Sequence, residues 1–440
     1  MKKNNQIIIT SLRGFVISLF ALVVMTGHGQ IKCNIEGEIM TDKYGDDVVI
    51  CELGTDLRLH DDPSFHLKAV NGKFSTTIEC KNLSRYKVFL YQQYLEGQYY
   101  YGTFLAENGH VHIKLYPDRA GEVLSEGIEG KKRQVLDSIL RKQYQEPIAA
   151  IDALMEDPER LSEYYNADFI STVTILNETD MSTMPQAYAD SVAKVYEKYR
   201  NNPDSEYTPK GLELEKRRKE LVEGCQNYQY QYYAEHPTIW ALYETLNACE
   251  QLHGAHRYTH FDPKSYERYH TLYHDKLETL YPDHPVHEQI ATAEAAYYLQ
   301  PGKPYIDYTV RNTDGSLVSI SSLTKGKVTL IDLWASWCGP CRRHSKALIP
   351  VYEKYKDKGF AIVAIARERD RKDMEEAAKK DGYPWPSLLE LNDENQVWRK
   401  NGAGNGGGAM FLIDRDGTIL STSTEASELE PIIKKALNVE

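Results

Sequence analysis

The stretch "DLWASWCGPCRRH", residues 332–344, decides how the C-terminal part of this chain folds. Its two cysteines, Cys338 and Cys341, follow the near-continuous apolar run "KVTLIDLW" (327–334) and precede the helical pattern "CRRHSKALIPVYEKYKDKG" (341–359). Such a run is typical of a strand that is buried on both faces of a sheet. The pattern therefore predicts that the cysteine pair lies at a strand-to-helix junction.

The surrounding sequence repeats the same alternation of strand and helix. After the helix that is expected to end at Gly359 come a strand, "FAIVAIA", and a helix, "DMEEAAKKDG", closed by Gly382. The strand "AMFLID", the turn "DRDG" and the helix "ELEPIIKKAL" follow. This order predicts an α/β domain over residues 301–440, with helices on both faces of a sheet that contains parallel strands.

The position of the cysteines predicts thiol chemistry. A helix N-terminus carries unpaired N–H groups and partial positive charge, which stabilise a thiolate at Cys338. Pro340 suits the first helical turn, where its missing N–H costs nothing, and Gly339 precedes it. Cys341 lies one turn deeper, so Cys338 is the expected nucleophile and Cys341 the resolving thiol.

The pair has two possible uses besides redox chemistry. A zinc site needs four ligands, and although His344 offers a third, there is no second CxxC in the sequence. An inert structural disulfide is the other alternative. The context Trp337-Cys338-Gly-Pro-Cys341 favours a redox pair over both.

Asp332 interrupts the apolar strand six residues before Cys338. A carboxylate in such a strand is costly unless it has a partner or a function. We expect it to exchange a proton with Cys341 through a water molecule. A hydrogen-bonded buried aspartate without a catalytic role is the alternative.

The rest of the chain divides into three parts. Residues 1–29 combine a positive start, the apolar run "FVISLFALVVM" and small residues, which is typical of a cleaved signal peptide. Residues 30–125 alternate in short runs separated by turns and predict an antiparallel β-domain. Residues 126–300 show helical periodicity and predict an all-α region.

Export places the cysteines in an oxidising compartment, the periplasm or cell envelope. Five further cysteines allow bridges such as Cys51–Cys80 or Cys225–Cys249, but the sequence does not assign them. The net charge of −12, without a long Lys/Arg cluster, argues against nucleic acid as a partner.

"LIDLWASWCGPC" together with "FLIDRDGTIL" resembles the TlpA/ResA-like thiol–disulfide oxidoreductases of the thioredoxin superfamily. The resemblance covers residues 301–440 and implies a thioredoxin-like fold in which Asp332 matches the family's buried acid. The β-rich region resembles a domain of unknown function that often precedes such modules. For the two N-terminal regions the resemblance implies architecture alone.

Two positions depart from the family pattern. Gly408 stands where the family has a cis-proline beside the cysteines, so we expect a trans or mobile loop and a weaker substrate clamp. His344 stands where ResA-like proteins have an acidic residue. It is expected either to influence the thiol pKa values or to be an exposed helix residue.

Two further motifs look like ligand sites, but their context does not favour that interpretation. "GAGNGG" (402–407) matches GxGxxG but precedes a strand, so it predicts a flexible loop that faces the cysteines rather than a dinucleotide site. The histidines of "HGAHRYTH" (253–260) and the i,i+4 pair His270/His274 lack acidic partners at defined spacing. They predict a packed or solvated surface, and we expect no metal and no cofactor.

The sequence thus predicts an exported protein-disulfide reductase, with disulfide-containing proteins or peptides as substrates and a membrane thiol carrier as electron donor. The alternative is an envelope binding or scaffold protein whose thioredoxin-like module has weak activity.

Overall fold

A computed structural model describes residues 30–59, 66–178, 186–255 and 263–439. The predicted signal peptide, residues 1–29, lies outside these ranges. Within them, no helix combines the length and apolarity that crossing a bilayer requires.

The N-terminal region consists of two small sheets with one short helix. Its strands and helix are β1 (Ile31–Ile39), β2 (Asp47–Glu52), β3 (His66–Lys68), β4 (Lys73–Cys80), β5 (Arg85–Leu90), α1 (Tyr91–Leu95), β6 (Tyr101–Leu105), β7 (Gly109–Leu115) and β8 (Glu122–Ser125).

The two sheets have the orders β4-β1-β7-β8 and β3-β2-β5-β6. Apolar side chains from both sheets, among them Ile35, Val88 and Val111, form one shared core. The pairs are antiparallel, as predicted, except that β1 runs parallel to β7. Between β1 and β7 the chain forms β4 and all four strands of the other sheet. This long connection allows β7 to run in the same direction as β1.

The central region is helical, as predicted. Its α-helices are α2 (Ile128–Leu140), α3 (Glu146–Met155), α4 (Leu161–Tyr164), α5 (Ala167–Glu178), α6 (Gln186–Asn201), α7 (Pro209–Glu235), α8 (Ile239–Ala255), α9 (Pro263–Leu272) and α10 (Val286–Tyr297). Segments of π-helix occupy Arg141–Gln145 and Tyr273–Leu277. Several tyrosines, including Tyr164 and Tyr233, are fully buried, so much of the tyrosine content serves packing.

The C-terminal region is the predicted α/β domain. Its elements are β9 (Thr309–Arg311), β10 (Leu317–Ser319), α11 (Ile320–Thr324), β11 (Val328–Trp334), α12 (Gly339–Ala347), α13 (Ile349–Tyr355), β12 (Phe360–Glu368), α14 (Arg371–Asp381), β13 (Ser387–Leu391), α15 (Val397–Lys400), β14 (Met410–Ile413), β15 (Ile419–Ser421) and α16 (Ala426–Leu437).

Strand β11 lies near the middle of the seven-stranded sheet, whose order is β10-β9-β13-β12-β11-β14-β15. It runs parallel to β12 and antiparallel to β14, and all seven of its residues are buried. Leu330 and Trp334 pack into the core on one face, and Ile331 and Leu333 pack on the other. Burial on both faces is the physical reason for the continuous apolar run.

The helix that was predicted over residues 341–359 is divided. It breaks at Leu348 between α12 and α13, because Pro350 in the first turn of α13 has no N–H to continue the helical ladder. Gly359 ends the segment with a φ of 99°, and Gly382 ends α14 with a φ of 73°, both in the left-handed region where glycine is favoured.

Candidate active site

Cys338 and Cys341 form a disulfide at the junction of β11 and α12, with their Cα atoms 5.4 Å apart. Cys338 is the N-cap of α12, and Gly339 and Pro340 occupy its exposed first turn. The backbone N–H of Cys341 donates to Cys338 Sγ at 3.3 Å. A thiolate at Cys338 therefore has both a hydrogen-bond donor and the positive end of a helix beside it.

Gly408 contacts the second sulfur. Its backbone N–H donates to Cys341 Sγ at 3.2 Å. Among the described residues no peptide bond is cis, so the bond at this position is trans, as expected. A Cβ atom on Gly408 would lie 1.6 Å from the carbonyl oxygen of Leu333. The close approach of this loop to β11 therefore requires glycine.

Asp332 is 1% exposed on β11, beneath the cysteine helix. Burial raises the pKa of its carboxyl to about 7, although a hydrogen bond from Ser345 acts in the opposite direction. Ser345 Oγ lies 2.7 Å from Asp332 Oδ2 and 3.0 Å from the carbonyl oxygen of Cys341. Ser345 thus lies between the acid and the backbone of Cys341, while Asp332 Oδ1 is buried without a hydrogen-bond partner among the described residues.

Glu368, at the carboxyl end of β12, was not recognised from the sequence. It is 1% exposed and accepts hydrogen bonds from the backbone N–H and the hydroxyl of Ser336, two residues before Cys338. Burial raises the pKa of Glu368 to about 6. A charged residue at the end of a buried strand was the available signal, but its partner depends on how β11 and β12 pair.

Arg342 contacts the same residue, Ser336, at its carbonyl oxygen. Its guanidinium forms a bidentate pair with Asp381, at 2.6 and 3.0 Å, and donates to the carbonyl oxygen of Ser336 at 3.0 Å. The backbone in front of Cys338 is therefore fixed by side chains from two other elements.

Trp337, which directly precedes Cys338 and was predicted to lie beside the active-site cysteines, is half-buried. The guanidinium of Arg58, from the N-terminal region, stacks 3.6 Å from the centre of its ring. Sequence reasoning did not find this contact, because no local pattern links residues so far apart.

His344 is placed differently from the other predicted residues. Its Nδ1 atom lies 3.4 Å from Glu425 Oε1, next to the start of α16. The ion-pair partner of His344 among the described residues is thus a carboxylate of α16's N-terminus and not a group at the disulfide. An effect of His344 on the thiols stays a prediction.

The remaining cysteines, Cys33, Cys51, Cys80, Cys225 and Cys249, are free thiols. Neither of the two bridges considered from the sequence is formed. Burial raises the pKa of Cys33 and of Cys51 to about 11, so these thiols are protonated at neutral pH.

The histidine run 253–260 lies largely outside the described residues. The pair His270 and His274 is described, and it does have an acidic neighbour, Glu294 of α10. This neighbour was missed because it comes from another helix.

Comparison with known proteins matches residues 300–437 to the Redoxin family model. Thiol-disulfide oxidoreductase ResA from Bacillus thuringiensis (strain Al Hakam) is 26% identical over 140 residues, which are 31% of this chain and 79% of the relative. Thioredoxin-like protein YneN from Bacillus subtilis (strain 168) is 30% identical over 100 residues, 22% of this chain and 58% of the relative.

Among solved structures, the thioredoxin domain of a thiol-disulfide oxidoreductase from Bacteroides vulgatus is 27% identical, with a TM-score of 0.29. The match covers 31% of this chain and 98% of that one.

Proposed function

The chain belongs to the thioredoxin superfamily through its TlpA/ResA-like C-terminal domain, and from this we propose that it is an exported enzyme that reduces protein or peptide disulfides with the Cys338/Cys341 dithiol. Its activity class is that of a thiol–disulfide oxidoreductase. The observation that carries the proposal is the disulfide at the N-terminus of α12, with Gly408 and Asp332 around it.

In the reduced enzyme, the Cys338 thiolate attacks one sulfur of the substrate disulfide. A bond forms between Cys338 and that sulfur while the substrate disulfide breaks, and the leaving thiolate takes up a proton. The Cys341 thiol then loses its proton and attacks Cys338 Sγ. The intramolecular disulfide forms, the mixed disulfide breaks, and the second substrate sulfur leaves as a thiolate that takes up a proton. The substrate gains two electrons and two protons, and the enzyme is oxidised by two electrons.

The surroundings support a different role for each sulfur. Cys338 is stabilised as a thiolate by the helix N-terminus and by the N–H of Cys341. Gly408 N–H can stabilise negative charge on Cys341 Sγ as that thiolate forms. Asp332, with a pKa of about 7, can hold or release a proton at neutral pH and is linked to the Cys341 turn through Ser345.

The enzyme disulfide then needs two electrons from another thiol. We propose a membrane thiol carrier as the donor and the periplasm or cell envelope as the location. The apolar leader over residues 1–29 supports export. A reductase in an oxidising compartment requires such a supply, because no soluble thiol pool maintains it there.

Single cysteine-to-serine substitutions test the roles of the two sulfurs. Cys338→Ser removes the nucleophile and abolishes dithiothreitol-dependent reduction of insulin. Cys341→Ser keeps the nucleophile but not the resolving thiol, so it accumulates a mixed disulfide that is visible by mass spectrometry. Cys225→Ser changes a free thiol of α7 and is the control, with wild-type activity. Full activity in Cys338→Ser would contradict the assignment.

The direction of electron flow is tested by the reduction potential of the pair in glutathione or dithiothreitol buffers. A value toward that of thioredoxin, about −270 mV, supports a reductase. A value toward that of DsbA, about −120 mV, would make the enzyme an oxidant and overturn the proposed direction.

A further inference from the structure

A loop of the N-terminal region contacts both surfaces that flank the active-site disulfide. We call residues 54–58, which follow β2, the cover loop. On one flank, Arg58 stacks 3.6 Å from the ring centre of Trp337, the neighbour of Cys338. On the other flank, Asn405 Nδ2 donates to the carbonyl oxygen of Gly54 at 2.9 Å, and Arg58 donates to the carbonyl oxygen of Asn405.

A buried ion pair anchors this loop. Arg367, near the end of β12, donates to Asp56 Oδ2 at 3.1 Å, and the two side chains are 4% and 3% exposed. Asp56 also accepts two hydrogen bonds from the Arg58 guanidinium, at 2.8 and 2.7 Å. Arg367 donates in addition to Asn405 Oδ1 at 3.1 Å. Because these buried charges are matched across the two regions, the contact has one specific geometry.

Two features of the site indicate that this arrangement is closed. The nucleophile Cys338 is only 5% exposed. The indole N–H of Trp337 is buried and has no hydrogen-bond partner among the described residues. Since an unpaired buried donor is unfavourable, movement of the loop would be partly compensated by hydration of this N–H.

We propose that the cover loop selects substrates: it admits small or extended peptide disulfides to Cys338 and excludes disulfides on folded protein surfaces until it opens. This proposal rests on the proposed reductase function and narrows the class of disulfide substrates that the enzyme would accept. A folded substrate must lie flat against Trp337 and the 402–408 loop, which the cover loop occupies. A flexible peptide carries less bulk around its disulfide and therefore needs a smaller opening.

The experiment compares two substrates of different size in the full-length chain. Arg58→Ala removes the cation–π contact with Trp337 together with the hydrogen bonds to Asp56 and Asn405. In this variant the kcat/KM for insulin rises at least about fivefold, while that for a small aliphatic disulfide changes less than twofold. Arg58→Lys retains the charge but not the planar stacking and gives an intermediate increase. Arg119→Ala is the matched control, because Arg119 stacks 3.6 Å from Tyr116 within the N-terminal region. It should change neither rate.

A second readout does not depend on activity. In the reduced protein, alkylation of Cys338 by a maleimide carrying a long polyethylene glycol accelerates in Arg58→Ala, while alkylation by iodoacetamide does not; the modified peptide is identified by mass spectrometry. The proposed role of the cover loop would be overturned by any of three results for Arg58→Ala: equal changes in the alkylation rate with the large and the small reagent, no change in either rate, or slower insulin reduction. A wild-type chain that reduces neither disulfide would refute the proposed function, whereas the alkylation result would still test the cover.

A different part of the molecule carries a second inference. His270 of α9 and His274 of the adjoining π-helical segment lie next to Glu294 of α10. Their Nε2 atoms are 3.6 and 3.8 Å from Glu294 Oε1, and one ligand atom from each residue lies within 4.8 Å of the others. Glu294 Oε1 is buried and has no hydrogen-bond partner among the described residues.

The geometry points to a site for one divalent transition metal of the Zn²⁺ class, contrary to the absence of metal expected from the sequence. Ligand atoms of tetrahedral zinc are about 3.4 Å apart when the metal bonds are about 2.0–2.1 Å, so small side-chain rotations would suffice. Two imidazoles and a carboxylate are suitable donors for zinc, and a water molecule would complete the tetrahedron. The π-helix supports this assignment, because such segments are frequent at functional sites.

Equilibrium dialysis of the full-length, disulfide-bonded protein against ZnCl₂ tests the site, since the oxidised active-site sulfurs are then not available as thiolate ligands. We expect one Zn²⁺ per chain and a higher Tm with zinc. His274→Asn and Glu294→Gln should each weaken binding at least about tenfold. His110→Asn, at an exposed histidine of β7, is the control and should bind like the wild type. No binding, or unchanged binding in both ligand variants, would overturn the site.

Discussion

Asp332 shows how a single buried residue sets a pH-dependent property of the domain. It is buried between the sheet and the cysteine helix, and its carboxylate accepts a hydrogen bond from the hydroxyl of Ser345. Burial disfavours the charged carboxylate and raises its pKa from 3.8 to about 7. The acid therefore changes its protonation state close to the pH at which thiol exchange operates.

Replacement of Asp332 by asparagine should stabilise the oxidised protein in a pH-dependent way. Because the folded state binds the Asp332 proton more tightly than the unfolded state, wild-type stability falls as pH rises from about 4 to about 7. Each pKa unit corresponds to about 1.4 kcal/mol, so the penalty above pH 7 is of the order of 4 kcal/mol. Urea unfolding at pH 4.5 and pH 8 measures it.

The gain from Asp332→Asn should be small at pH 4.5 and largest at pH 8. Ser345→Ala serves as a comparison, since it removes the hydrogen bond but keeps the acid. An equal gain for Asp332→Asn at both pH values would show that the carboxyl titrates as it does in solvent.

At the scale of elements, the loop before β14 determines what lies against Cys341. Trp398 Nε1 donates to the carbonyl oxygen of Gly407 at 3.0 Å, and the backbone N–H of Leu333 donates to the carbonyl oxygen of Ala409 at 2.9 Å. The glycine-rich segment faces the cysteines, as predicted. These hydrogen bonds hold it against β11, which is more constraint than its composition predicted.

Gly408→Ala should distort the active site while both reactive cysteines are retained. Its Cβ atom would lie 1.6 Å from Leu333 O and 3.3 Å from Cys341 Sγ, so the loop must move away from β11. We expect a loss of about 1–3 kcal/mol in unfolding free energy and a shifted reduction potential, because the N–H donor to Cys341 is displaced. Gly406→Ala is the matched control, since nothing lies within 4 Å of its Cβ position. Wild-type stability and potential in Gly408→Ala would contradict this expectation.

At the scale of the whole molecule, the N-terminal and C-terminal regions share a buried polar contact. Burial would raise the pKa of Asp56, but the hydrogen bonds and charge of Arg58, together with the charge of Arg367, lower it overall. The carboxylate is therefore ionised at neutral pH. It joins residues that are 311 positions apart in the sequence.

Asp56→Asn should loosen this contact. Arg367 retains Asp393 and Asn405 as partners, so the expected cost is about 1–3 kcal/mol rather than that of a fully orphaned charge. Differential scanning calorimetry should show the C-terminal domain unfolding less cooperatively with the rest of the chain. Asp46→Asn removes an exposed carboxylate that pairs with Lys68, and it should cost less than about 0.5 kcal/mol. Equal effects of the two substitutions would show that the buried pair does not couple the regions.

The sequence by itself determined the α/β order of the C-terminal domain and the place of Cys338, Cys341 and Asp332 on one strand-to-helix junction. These follow from spacing along a few turns of chain, because strand burial and helix termini are local properties. The family resemblance placed Gly408 beside the cysteines, but only the tertiary structure decided its hydrogen bond to Cys341 and the contacts of Glu368 and Arg58 with this site. These contacts depend on how β11 pairs with β12 and β14 and on how the N-terminal and C-terminal regions dock. Neither the strand register nor the docking produces a periodic pattern in the sequence near the residues that are brought together.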